Sequence, residues 1–186
     1  MSENAREAIL DAARRMAQAH GYGGLNFRDI GAEVGIKAAS IYHHFPSKAD
    51  LGAAVAKRYW QDAAQAFEAL SDSAGNPVKA LQTYPNLFRR SLEENNRMCL
   101  CSFMTAEVDD LPDTVKAEVQ AFADVNIAWL TKMLSATGMP RAKRETRARA
   151  IYAAVAGAQL LARGRADLKL YDSLIAGYRE SGLIPS

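Results

Sequence analysis

The chain has 186 residues, 49% apolar and 24% charged, with six prolines, twelve glycines and no low-complexity tract. That balance supports a real core and excludes a disordered or collagen-like chain. Formal net charge is only +2, but residues 1–60 hold eight Lys or Arg against six Asp or Glu while the remainder is balanced, so the excess lies in the first third.

The start, "MSENAREAIL", has no basic stretch leading into an apolar run. The sequence therefore predicts no secretory signal and a cytoplasmic protein. Ile9, Ala12, Ala13, Met16, Ala17 and His20 recur at i, i+3, i+4 and i+7 and predict a helix over 4–20. Gly21 supplies the left-handed residue that ends it. "GYGG" follows no strand and precedes no Lys-Ser/Thr, so it is not a phosphate cradle. Asn26 stands where an N-cap belongs, able to accept from the amides of Arg28 or Asp29. That helix runs to about Val34 and stops at Gly35. A short helix follows over 38–44 and ends at "FPSK", because the residue before Pro46 is pushed out of the α region. Ser47 caps a long helix over 47–70, with Leu51, Val55, Tyr59, Ala63, Ala66, Phe67 and Leu70 on one face.

Two short helices around a glycine turn, supported by a third, make a helix-turn-helix. The second can enter a major groove. Spacing turns Ile41 and Phe45 inward, against Ile30, Val34 and the first helix. Ser40, His43 and His44 project from other faces, with Tyr42 near the end. Ala38 and Ala39 permit close approach to bases, and Lys37 and Lys48 flank the helix where phosphates run. Adjacent histidines on a helix point about 100° apart, and no carboxylate or Cys within a turn completes a metal set. Ser40 and His44 are four apart, yet a short exposed helix supplies neither an orienting acid nor an oxyanion site. The sequence predicts no metal, no cofactor and no catalytic residue here.

From Ala5 to about Val55, and above all in "FRDIGAEVGIKAASIYHHFPSKADL", the chain resembles the DNA-binding region of TetR-family transcriptional regulators. The likeness includes the Gly35 turn, the Tyr-x-His-Phe end of the recognition helix and the Ser-Lys opening of the next helix. It implies that Arg28, Ser40, Tyr42, His43, His44 and Lys48 face DNA, with Tyr42 and Lys48 mainly on phosphates. Asn26 replaces a usual Thr and still caps and reaches a phosphate. Lys37 stands where Ser is common, so the recognition helix lacks a side-chain cap and gains a phosphate contact.

After "SDSAGNP" the character changes, and helices are predicted over 77–95, 97–109, 113–137, 141–163 and 167–181, making about nine in an all-α fold. The expected division is a helix-turn-helix domain over 1–50 and a helical ligand-binding and dimerisation domain over 51–186, joined through the helix at 47–70. "AIYAAVAGAQLLA" is 13 residues long and contains Gln159, too short to span a bilayer. Its small residues permit close helix packing. With Leu168, Tyr171, Leu174, Ile175 and Tyr178 on the last helix, it predicts an isologous four-helix dimer interface through 141–163 and 167–181. The alternative is that both helices are core of one chain.

For an effector pocket the candidates are Trp60, Phe67, Tyr84, Phe88, Cys99, Phe103, Asn126, Trp129, Tyr152 and Gln159. Asn126 and Gln159 are polar amid apolar neighbours, and burying them needs a partner. Cys99 and Cys101 are two apart, too poorly oriented to bridge within one helix, so one is expected to face the core and the other a pocket or surface. The region is similar to a TetR-family subgroup with a Cys near the start of its sixth helix, some of whose members sense electrophiles or oxidants. Arg97 and the helix N-terminus favour Cys99 as the thiolate; an inert buried thiol is the other reading.

The sequence thus points to a homodimeric repressor that binds a pseudopalindromic operator in double-stranded DNA and is released by a small apolar or electrophilic effector. A DNA-binding regulator without an effector, a thiol-dependent enzyme using Cys99, and a helical carrier or adaptor remain the alternatives.

Overall fold

A computed structural model describes residues 3–185. Among them are ten α-helical segments and one 3-10 turn (Val108–Asp110), with no strand. The segments are α1 (Glu3–His20), α2 (Phe27–Val34), α3 (Ala38–Tyr42), α4 (Lys48–Ser73), α5 (Pro77–Thr83), α6 (Pro85–Glu93), α7 (Leu100–Ala106), α8 (Asp113–Ala136), α9 (Arg141–Arg165) and α10 (Leu168–Glu180).

Three segments differ from the sequence expectation for physical reasons. The single helix expected over 77–95 breaks into α5 and α6 at Pro85, which has no N–H to return to the preceding turn. Tyr84 stays in the α region across the break, so the two pieces form one kinked helix. Helix α3 ends at Tyr42 rather than His44, since Pro46 cannot donate to the Tyr42 carbonyl. The His44 and Phe45 amides both turn back to the Ile41 carbonyl, each at 2.9 Å. Helix α7 begins at Leu100 rather than 97. Asn95 and Asn96 are both left-handed, at φ 60° and 53°, and the Cys99 amide is committed to the Gln159 Oε1 at 3.0 Å.

The chain divides into two compact units, Met1–Gln61 with Leu100–Phe122, and Asp62–Cys99 with Ala123–Ser186. In the first, Ile9, Ile30, Ile41, Leu51, Leu100, Met104 and Val115 are fully buried. Its surface is laced by ion pairs: Arg15 donates twice to Glu33 (2.8 and 2.7 Å), tying α1 to α2, and Arg58 reaches Glu7 and Asp11. In the second, Tyr84, Leu130, Leu134, Ile151, Val155 and Tyr171 form the centre. No helix among the described residues is long and apolar enough to cross a membrane.

Candidate nucleic-acid interface and effector region

The helix-turn-helix is built by local capping and one close backbone approach. The Asn26 Oδ1 accepts from the Arg28 amide at 2.8 Å and the Asp29 amide at 3.4 Å, so α2 starts where its sequence requires. Gly35 (φ 78°) closes α2 in the left-handed region. Gly31 sits on the buried face, and a Cβ there would lie 2.8 Å from the Ile36 carbonyl oxygen and 3.3 Å from the Ala38 amide. Only a bare backbone lets α2 and the start of α3 come this close. Lys37 precedes α3 and makes no side-chain cap, as the sequence indicated. At the far end the Ser47 Oγ accepts from the Asp50 amide (3.1 Å) and donates to the Asp50 carboxylate (2.7 Å), which opens α4.

This scaffold sorts α3 into two faces. Ile41 and Phe45 are buried at 0% and 2% exposure, with the Arg6 guanidinium 5.2 Å over the Phe45 ring. Lys37, Ala39, Tyr42 and His43 are exposed, and Ala38, Ser40 and His44 are half-buried. Tyr42 is 56% exposed although its ring leans on Phe27, the centroids 4.7 Å apart. Among the described residues, the side chains of Arg28, Lys37, Ser40 and His43 have no hydrogen bond or ion pair within the chain. Lys48 is held: its Nζ donates to the Gly23 carbonyl at 3.1 Å and lies 4.7 Å from the centre of the Tyr22 ring. An ammonium has three donors, so two remain for a partner. Phe27 and Tyr22, which support Tyr42 and Lys48, were not singled out by the sequence, because stacking across a turn has no periodic signature.

Eight of the proposed effector residues fall in one compact unit and the other two in the second. Trp60 and Phe103 belong to the unit that contains α1 to α3. The Trp60 Nε1 donates to Glu118 at 2.7 Å. In the other unit, Phe67, Tyr84, Phe88, Trp129 and Tyr152 form a continuous aromatic cluster, stacked at Trp129 and tilted at Phe88. Phe67 and Tyr84 each pack on Trp129 at 5.2 and 5.7 Å, and Phe88 links Tyr84 to Tyr152 at 5.5 and 6.3 Å. Asn126 and Gln159, both 0% exposed, have partners in the chain. The Tyr84 hydroxyl donates to the Asn126 Oδ1 at 2.7 Å, and the Gln159 Nε2 donates to the Phe88 carbonyl at 2.7 Å. Burial pushes the Tyr84 phenol well above its ordinary value, with Tyr152, Cys99 and Tyr171 adding to the shift, so it stays a neutral donor. Phe67 and Trp129 also line a groove of about 270 Å³ between α4 and α8, with Ala64, Val125 and Ala128, and with Glu68 and Lys132 paired at 2.9 Å.

Both cysteines are buried, Cys99 at 2% and Cys101 at 1% exposure. Neither thiol reaches the surface, which agrees with the inert buried reading; Cys99 precedes α7 instead of riding on it, so the helical angle between the two does not apply.

Residues 9–55 match the family model for "Bacterial regulatory proteins, tetR family", and residues 77–173 match "Transcriptional regulator LmrA/YxaF-like, C-terminal domain". Over 70 residues the chain is 37% identical to the HTH-type transcriptional repressor AcnR of Corynebacterium glutamicum, a match spanning 38% of this chain and only 36% of that protein. A TetR transcriptional regulator from Legionella pneumophila superposes with a TM-score of 0.90 at 27% identity, covering 97% of this chain and 98% of the other. A TetR-family regulator from Agrobacterium tumefaciens gives 0.89 at 30% identity, covering 96% and 97%.

Proposed function

This chain belongs to the TetR family of bacterial regulatory proteins, and from that premise we propose that it is a cytoplasmic homodimeric repressor of transcription. Residues 1–50 form the DNA-binding head and 51–186 the effector-binding and dimerisation part. The observation that carries the reading is the two-faced recognition helix. Ile41 and Phe45 anchor it, while Tyr42 and His43 are exposed and Ser40 is half-buried. Arg28, Ala38, Ala39, Ser40, His43 and His44 address bases and their flanks, and Asn26, Lys37, Tyr42 and Lys48 address phosphates.

Dimerisation through α9 and α10 is supported by Leu160 and Leu161, 57% and 54% exposed on α9 among small residues such as Gly157 and Gly164. Paired two-fold, these faces set two heads on successive major grooves of a pseudopalindromic operator. A small apolar or electrophilic effector in the aromatic region of α4 to α9 releases the operator, provided it binds one state of the dimer better than the other. A second reading, a regulator with no small-molecule effector, is favoured by the internal pairing of Asn126 and Gln159. The Cys99 thiol supports no enzyme here, since it is buried. Gel shifts on DNA from upstream of its own gene, with salt titration, are expected to show tight sequence-specific binding and a protected two-fold site. Sedimentation is expected to show a dimer. Binding that is only non-specific defeats the repressor reading.

A further inference from the structure

The Gly21–Gly24 turn is gripped by a carboxylate from far along the chain. The Tyr22 amide donates to the Glu107 Oε2 at 2.7 Å and the Gly23 amide to the Oε1 at 3.3 Å. Glu107 lies just past the C-terminal end of α7, and all these residues fall within one compact unit. The grip depends on the residue before it. Gly21 has φ 70°, and a Cβ there would overlap both carboxylate oxygens. The same turn also holds Lys48, through the Gly23 carbonyl and the Tyr22 ring. Glu107 and Lys48 thus hold one short piece of backbone, the carboxylate on its amides and the ammonium on its carbonyl.

From this juxtaposition we propose that Glu107 is a positioning residue for DNA binding. By fixing the Tyr22–Gly23 backbone, it sets the height of the Lys48 ammonium and the N-terminus of α4. This rests on the DNA-binding reading of Lys48 and extends it to a residue outside the helix-turn-helix. Sequence could not show it, because Glu107 lies 85 positions from Tyr22 and carries no motif.

Glu107→Ala and Glu107→Gln separate geometry from charge. Both remove the negative charge, but glutamine keeps an oxygen to accept from the Tyr22 amide. In fluorescence anisotropy with a labelled duplex of upstream DNA, Glu107→Ala is expected to bind roughly two- to fivefold more weakly than Glu107→Gln, the scale of a lost hydrogen bond to a neutral acceptor diluted by partial coupling. In a Lys48→Ala background the two Glu107 variants are expected to bind alike, since the effect passes through Lys48. Gly21→Ala, which displaces the carboxylate, is expected to reproduce the loss. Amide hydrogen exchange at Tyr22 and Gly23, measured without DNA, is expected to accelerate by about tenfold in Glu107→Ala and Gly21→Ala. Equal affinities for the two Glu107 variants, an additive cycle with Lys48→Ala, or unchanged exchange at both amides each overturn the proposal. If the wild-type chain fails to bind the duplex while exchange at Tyr22 still responds to Glu107→Ala, the DNA-binding reading has failed and the carboxylate grip has not.

Discussion

Around α2 and α3, the side chains of Arg28, Lys37, Ser40 and His43 make no hydrogen bond or ion pair within the chain among the described residues. Around Tyr84 the opposite holds: Asn126 and Gln159 are fully buried and each is bonded to a neighbour. Polar groups left open on an exposed, rigidly mounted helix cost nothing while water satisfies them, and they are available to a partner. Polar groups sealed in a core must be paired, because an unsatisfied buried group costs roughly 1–3 kcal/mol. The first arrangement suits recognition of another molecule. The second suits holding kinked and irregular segments in register: Gln159 bridges the backbone of Phe88 on α6 and of Cys99, just ahead of α7.

The sharpest break of this contrast is Gln159→Leu. It strands a buried amide at Cys99, while the Phe88 carbonyl keeps its helical partner, and is expected to lower unfolding free energy by roughly 1–3 kcal/mol in urea denaturation. A change under about 0.5 kcal/mol would show that the core polar pairs are dispensable. Lys48→Ala, at the exposed region, is expected to leave the fold intact and weaken binding to every DNA sequence, lowering the salt slope of affinity by about one. An altered sequence preference with an intact slope would remove Lys48 from the phosphates. Tyr42→Phe keeps the contact with Phe27 and deletes only the hydroxyl, so about 1 kcal/mol of DNA affinity is at stake; unchanged affinity would take Tyr42 off the contact surface.

The smallest effect belongs to the ion pair between α6 and α10. Arg89 donates to both carboxylate oxygens of Asp172, at 2.7 and 3.0 Å, and these hydrogen bonds hold Asp172 below its ordinary 3.8. Because the folded value is the lower one, the pair stabilises the protein above pH 3.8 and the gain is lost as pH falls through the folded value. The Asp172 side chain is 48% exposed, so Asp172→Asn is expected to cost only about 0.5 kcal/mol at pH 7 and nothing in strong acid. Thermal melts across pH check the sign; a deficit that grows toward low pH would contradict it.

Legibility in the sequence followed the range of the interaction. The Asn26 cap, the Gly35 stop and the Ser47 cap all act within four residues, and each is where the sequence indicates. The inward pair Ile41 and Phe45 follows from helical spacing alone. What escaped was long-range. The Cys99 amide is claimed by Gln159, 60 residues on, and the thiol beside it is buried, a placement that no local pattern announces. Asn126 and Gln159 were recognised as needing partners, but nothing local says those partners are Tyr84 and two backbone groups rather than a ligand. Pro85 was visible in the sequence, and its kink was missed because the apolar pattern continues across it.

The division of labour on α3 is tested most directly by salt-titrated anisotropy of wild-type protein and His43→Ala, on upstream DNA and on a scrambled duplex of equal length. If His43 reads a base as proposed, His43→Ala loses roughly 1–3 kcal/mol on upstream DNA alone and keeps the wild-type salt slope. An equal loss on both duplexes, or a slope lowered by about one, would contradict the assignment of the exposed α3 face to base recognition.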